Sequence, residues 1–186
     1  MNVLYAGAYR RRFRDVVSLI DQEARSVCEL CFGDTLVAEW CRSRGIRWTG
    51  VDLNPRFCAR ARAQGFDVIE GDLLSLSPPR ADVFIMVGSL YHFHERLSEL
   101  FDLVWSRTGT LVLSEPVRNL SSQPGPIGWW ARRSANPGDR EAGFRYTEDS
   151  LREALDAQRK RHEFDIRPIS VQRDMLMLLH RPSTSD

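Results

Sequence analysis

Carboxylates stand where successive apolar runs of this 186-residue chain come to an end. The first run, Ser26 to Cys31, holds Glu29 and leads to Gly33; Asp52 closes the second and Asp72 the third. Gly33 permits a tight turn and a close approach of backbone to a ligand. The free amides of a helix starting there would face an anionic group such as a carboxylate. Asp52 follows about 20 positions later, where an acid can accept both hydroxyls of a ribose. Asp72 can accept from an adenine amino group. Each feature alone is also what an ordinary strand or turn carries. Together, at the carboxyl ends of consecutive strands, they outline a crevice shaped for adenosine.

Further candidates follow downstream. Tyr91-His92-Phe93-His94-Glu95 lies just past the fourth apolar run, at the mouth of such a crevice. His92 titrates near neutrality and can take a proton from an acceptor; the plainer role for it, and for His94, is a ring bonded to backbone. Glu115 ends the fifth run and could orient an acceptor, bind a cationic one, or simply pair with Arg118. Trp129 and Trp130 beside Arg132 and Arg133 could cover an anionic substrate. Arg10, Arg11 and Arg12 read as a solvated face.

Two other chemistries are disfavoured. Cys28 and Cys31 form a C-x-x-C, but a redox or zinc role needs an exposed thiolate or two more ligands, so packing is expected. A dinucleotide turn wants glycines at 31, 33 and 36, where Cys31, Gly33 and Leu36 stand.

Positioning these groups requires alternating strands and helices. A helix with an Arg-rich outer face is expected from Tyr9 to Glu23. Another should run from Thr35 to Arg44, burying Leu36, Val37 and Trp40 and stopping at Gly45. Trp48–Asp52 reads as a strand; Asn54 then caps a helix with Pro55 at its first position, running to Arg62. Val68–Asp72 is the third strand. Ala81–Gly88 is apolar almost throughout, as a parallel strand buried on both faces would be. A helix from about Glu95 to Ser106 and a strand at Thr110–Glu115 complete the rhythm, which implies a parallel sheet with right-handed crossovers. Residues 116–146 lose it and read as a cap over the mouth. Thr147–Ser150 starts a helix reaching about Lys160, and two antiparallel strands, His162–Val171 and Arg173–Arg181, end the chain, with Pro168 marking an edge.

At these residues the chain resembles the class I S-adenosylmethionine-dependent methyltransferases. The likeness rests on Glu29-Leu-Cys-Phe-Gly33-Asp34, Gly50-Val-Asp52-Leu-Asn54-Pro55, Glu70-Gly-Asp72-Leu73 and the stretch from Asp82 to Phe93, and on the closing hairpin. The resemblance implies an α/β, three-layer Rossmann-like sandwich: a mostly parallel seven-stranded sheet, order 3-2-1-4-5-7-6, with an antiparallel C-terminal hairpin. By it, Glu29, Cys31 and Gly33 would hold the methionine end of the cofactor, Asp52 and Leu53 the ribose side, Asp72 and Leu73 the adenine. Gly88 and Ser89 would line the sulfonium side. His92 and Glu115 become catalytic candidates; Tyr91, Trp129, Trp130 and Arg132 substrate contacts. Where family members have glycine, this chain has Cys31 and Thr35, which motivates an alternative: a non-catalytic module that binds the cofactor or its demethylated product.

Length and composition are consistent with one domain over residues 1–186, with residues 1–25 as an N-terminal helix. Net charge is +1, so no global field recruits nucleic acid. A small-molecule acceptor is therefore expected, without a metal or a nucleic-acid partner; a homodimer is left open. No apolar run reaches membrane-spanning length, no signal-peptide pattern opens the chain, and the four cysteines form no disulfide framework, so a cytoplasmic location is expected.

Overall fold

Apolar residues at alternate strand positions divide between the two faces of one sheet, and that division sets the layers. The computed structural model describes residues 3–117 and 144–182. Along these run α1 (Val3–Val17), β1 (Ser26–Leu30), α2 (Leu36–Ser43), β2 (Arg47–Asp52), α3 (Pro55–Ala63), β3 (Asp67–Glu70), β4 (Val83–Val87), α4 (Leu97–Trp105), β5 (Thr110–Pro116), α5 (Glu148–His162), β6 (Asp165–Val171) and β7 (Asp174–His180). The sheet order is β3-β2-β1-β4-β5-β7-β6. The first five strands are parallel. β7 runs antiparallel to both β5 and β6. The expected mixed α/β sheet, with its strand order and reversed final pair, is the one observed.

On one face, Val27, Trp48, Ile85 and Val112 pack with Phe13 and Val16 of α1, Val37 and Cys41 of α2, and Cys58 and Ala61 of α3. On the other, Leu30, Phe84, Met86, Leu113 and Met177 pack with Leu100, Phe101 and Val104 of α4 and Leu151 and Leu155 of α5. Strands buried on both sides in this way carry continuous apolar runs rather than alternation. Pro168 sits on the edge strand β6, where a register shift follows it, so its missing N–H breaks no central ladder.

Several boundaries move. α1 spans Val3–Val17 rather than reaching Glu23. After Arg14 its bonds tighten from i−4 to i−3, and Asp21 Oδ1 accepts from the Glu23 amide, turning the chain. Leu36 and Trp40 are half-buried, while Val37, Ala38 and Cys41 face the core. β3 ends at Glu70, so Asp72 lies in the loop beyond it. Residues 118–143 of the expected cap, with Arg118, Trp129, Trp130, Arg132 and Arg133, fall outside the described residues.

Candidate functional site

The carboxyl ends of β1, β2 and β4 lie side by side, and between β1 and β4 the strand order reverses. Open α/β sheets form their ligand crevice at such a point. The loop leaving β1 places two residues in the left-handed region, Cys31 at φ +54° and Gly33 at φ +59°. The Cys31 amide donates to the Val51 carbonyl at 2.7 Å, tying the loop to β2. The Gly33 amide donates to Asp52 Oδ2 at 3.2 Å. Asp52 Oδ1 accepts from the Asn54 amide at 2.7 Å. One carboxylate thus joins the glycine turn to the start of α3, which Asn54 caps by accepting from the Arg56 amide at 3.0 Å. A side chain built at Gly33 would meet nothing within 4 Å, so the backbone there borders open space. Leu53, 69% exposed, stands on the same rim.

Asp72 is exposed and caps a short 3-10 turn over Leu73–Ser75. Its Oδ1 accepts from the Leu74 amide at 3.1 Å, and its Oδ2 from the Ser75 hydroxyl at 3.2 Å. Asp52 and Asp72 both lie near enough to Cys31 for their charges to act on its thiol. Burial first, then those two charges, pushes that thiol up to about 12. A group held there is no nucleophile at neutral pH. Burial likewise pushes the Cys28 and Cys41 thiols up to about 12, as cysteines used for packing should be.

Three expected contacts are placed differently. Glu29 is fully buried on the face that carries α1–α3, where its Oε2 accepts from the Trp48 indole at 2.9 Å. Its Oε1 has no partner among the described residues. Burial outweighs the indole bond and pushes this carboxyl well above its ordinary range, toward the neutral acid. Its bond to the indole ties β1 to β2 just before the glycine turn. Trp48 reaches it by crossing Gly50: a side chain at Gly50 would fall 2.2 Å from the Trp48 ring. Leu73 is also in the core, packed with Leu30, Val51 and Phe84. Glu115, a candidate to orient or bind the acceptor, is wholly buried.

That burial gives Glu115 a definite task. Its Oε2 accepts from the Leu90 amide at 3.0 Å, at the head of the 3-10 turn Leu90–Phe93 that follows β4. Its Oε1 has no partner among the described residues. Burial raises its pKa to about 7, against the opposing pull of the Leu90 amide and of Arg12 and Arg145. The turn it holds presents Tyr91, His92 and His94. The Arg145 guanidinium lies 3.7 Å over the Tyr91 ring, and the Tyr91 and His92 rings are 3.9 Å apart. His92 is exposed. His94 stacks on Phe144 at 4.0 Å and its Nδ1 donates to the Tyr91 carbonyl at 3.1 Å, the backbone-bonded role. Tyr146 is buried close by; burial, and then the charge of Glu115, pushes its phenol up.

Gly88, at φ +68°, donates to the Ser114 carbonyl at 2.7 Å. Ser89 is buried and its hydroxyl donates to the Val87 carbonyl at 3.3 Å. Against Gly88 lies a residue that the sequence assigned to a solvated face. Arg12 Nη2 comes within 2.8 Å of where a side-chain carbon of residue 88 would stand. Its Nε donates to the Ser114 hydroxyl at 3.2 Å and pairs with Asp174 Oδ2 at 3.3 Å. The signal available was helical phase: Arg12 neighbours Phe13 and lies four positions before Val16, on the packed side of α1. Among the described residues, no three His, Cys, Asp or Glu side chains gather into a metal-binding group.

Comparison with known proteins meets this geometry. A family model described as a methyltransferase domain matches residues 28–121. No curated protein matches the sequence. Among solved structures, a SAM-dependent methyltransferase from Archaeoglobus fulgidus aligns with TM-score 0.68 at 17% identity, covering 94% of each chain. Magnesium protoporphyrin IX methyltransferase from Synechocystis PCC 6803, solved with bound SAH, aligns with TM-score 0.70 at 17% identity, covering 98% of this chain and 89% of its own. A small RNA methyltransferase aligns with TM-score 0.68 at 15% identity over 96% of this chain and 26% of its own. At such identities the solved structures speak for the fold; the family model spans half the sequence, from β1 past β5, and includes the glycine turn and both strand-end acids. On that match, the chain belongs to the class I methyltransferase family.

Proposed function

We propose that this chain transfers a methyl group from S-adenosylmethionine to a small-molecule acceptor. The observation that carries the reading is the Asp52 carboxylate, anchored to the Gly33 amide at the switch point of the sheet. The residues there fit the cofactor: open space at Gly33, an acid at the end of β2, and the exposed apolar Leu53 beside it. Cys31, Gly33, Gly88 and Ser89 border the methionine end, with Glu29 tying β1 to β2 just before the turn. Asp52 receives the ribose hydroxyls, and Asp72, with Leu73 behind it, the adenine amino group. When bound, the cofactor supplies a methyl group on a sulfonium, a good leaving group for in-line displacement.

The chain's own part is then alignment and proton handling. Glu115 holds the Leu90–Phe93 turn through the Leu90 amide, which fixes the direction of Tyr91 and His92. His92 is exposed and can take the acceptor's proton. The acceptor would lie against Tyr91 and Arg145. A small acceptor is supported by the near-balanced net charge and, among the described residues, by the rings of Tyr91 and His92 with Arg145 stacked over Tyr91.

The alternative, a binding module without turnover, draws on Cys31 and Thr35 at positions where the family has glycine. The test is incubation with S-adenosylmethionine and either a metabolite extract or an RNA pool, read by mass spectrometry. A methylated metabolite supports the reading. Methylated RNA replaces the small acceptor, and binding without methyl transfer to either leaves the module.

A further inference from the structure

At the opposite end of the sheet, where the strands begin, four arginines converge on one concavity of about 820 Å³. Arg47 opens β2, Arg80 precedes β4, Arg107 follows α4 and Arg181 follows β7. Their backbones are knitted together. The Ala81 amide donates to the Arg107 carbonyl at 3.4 Å, the Arg181 amide to Gly109 at 2.9 Å, and the Thr108 hydroxyl to Asp82 at 3.1 Å. Like charges brought together by tertiary structure repel one another, and an anion bound among them would relieve that repulsion.

The protein supplies little counter-charge of its own. None of the four guanidiniums forms an ion pair with a described carboxylate. Among the described residues Asp82 is the one acid lining the concavity, and its Oδ2 already accepts from the Arg25 and Ser26 amides at 2.8 and 2.9 Å and from the Ser26 hydroxyl at 2.9 Å. Two N–H groups of the lining residues, Arg107 Nε and Trp105 Nε1, are buried with no acceptor among the described residues. Trp105 itself is 7% exposed. Buried donors are nearly always satisfied, so this wall of the concavity has unmet donor capacity rather than an internal counter-charge.

We infer that this concavity is a second binding site, for a compact phosphate-bearing anion. Guanidiniums match phosphate oxygens two by two, and four around one hollow suit a single multiply charged group. A polynucleotide would instead ask for cations strung along a track at phosphate spacing. The site lies across the sheet from the crevice at Asp52 and does not depend on methyl transfer.

The test is calorimetric titration of the full chain at constant ionic strength, chloride making up the balance. Inorganic phosphate, pyrophosphate and glycerol phosphate are the probes. Saturable pyrophosphate binding is expected, weakened at least about tenfold in the double variant Arg47→Ala/Arg80→Ala. Both residues are exposed, so the fold and the response to S-adenosylmethionine should be retained. Glycerol phosphate binding more tightly than phosphate assigns an esterified ligand, and the reverse a free ion. No saturable binding above chloride, or equal binding by the double variant, overturns the site. A short single-stranded RNA that displaces pyrophosphate at lower concentration overturns the compact ligand.

Discussion

Arg12 of α1 and Ser114 of β5 are joined twice: Nε donates to the hydroxyl at 3.2 Å and Nη2 to the carbonyl at 3.0 Å. The next residue of β5 is Glu115, so the N-terminal helix delivers a cation beside the buried acid that holds the Leu90–Phe93 turn.

Glu115 should make the fold less stable as pH rises. Its carboxyl ordinarily titrates at 4.5 and is pushed to about 7 in the fold. Between those values the native state holds a proton that the unfolded chain has released, so stability falls with rising pH across that window. The full effect is about 3 kcal/mol. Glu115→Gln should therefore gain stability relative to the parent between pH 5 and pH 8, measured by urea unfolding at both. A constant difference between the two proteins would refute the burial argument.

Removing Arg12 should extend that window at its upper end. Its positive charge is among the influences that lower the pKa of Glu115. In an Arg12→Ala background, the pH at which the gain from Glu115→Gln levels off should rise and the total gain should grow, while its onset stays at the unfolded value; the pairing with Asp174 is lost as well. An unmoved window would show that the two groups do not interact.

These dependences were hidden in the sequence, and the reason is physical. The strands themselves, the Asn54 cap and the places of Gly33 and Asp52 were legible because each is local: an apolar period, a cap residue, an acid at a strand end; the strand order came with the family resemblance. Glu29, Glu115 and Arg12 were misjudged because their neighbours come from distant segments. Glu29 and Trp48 meet only when β1 and β2 pair in register. Nothing near Glu115 in the chain announced that β4 would lay the Leu90 amide against it. Arg12 sits in an arginine run whose members look alike until one is turned inward.

Cys31 carries backbone strain that glycine would relieve. Its φ of +54° is costly for a residue with a side chain, by roughly 1–2 kcal/mol. Cys31→Gly should be more stable than Cys31→Ala by about 1 kcal/mol, because alanine loses the thiol but keeps the strain. Thermal unfolding of the two variants decides it; alanine as stable as glycine would contradict the strain.

Gly50 should tolerate no side chain. The Trp48 ring occupies the space a methyl group needs. Gly50→Ala should cost about 1–3 kcal/mol through overpacking and disturb the Trp48–Glu29 bond. Intrinsic tryptophan fluorescence together with urea unfolding would record both, and a silent substitution would show that the ring moves aside freely.

The Asp52 carboxylate bears the heaviest part of the functional reading. Calorimetry with S-adenosylmethionine on the parent chain and on Asp52→Asn, which keeps an oxygen able to accept from Gly33 or Asn54, separates ligand binding from folding. Binding by the parent, weakened at least about tenfold in Asp52→Asn at temperatures where the variant is still folded, is the predicted result. Equal affinity in the two proteins, or no binding by the parent, would contradict it.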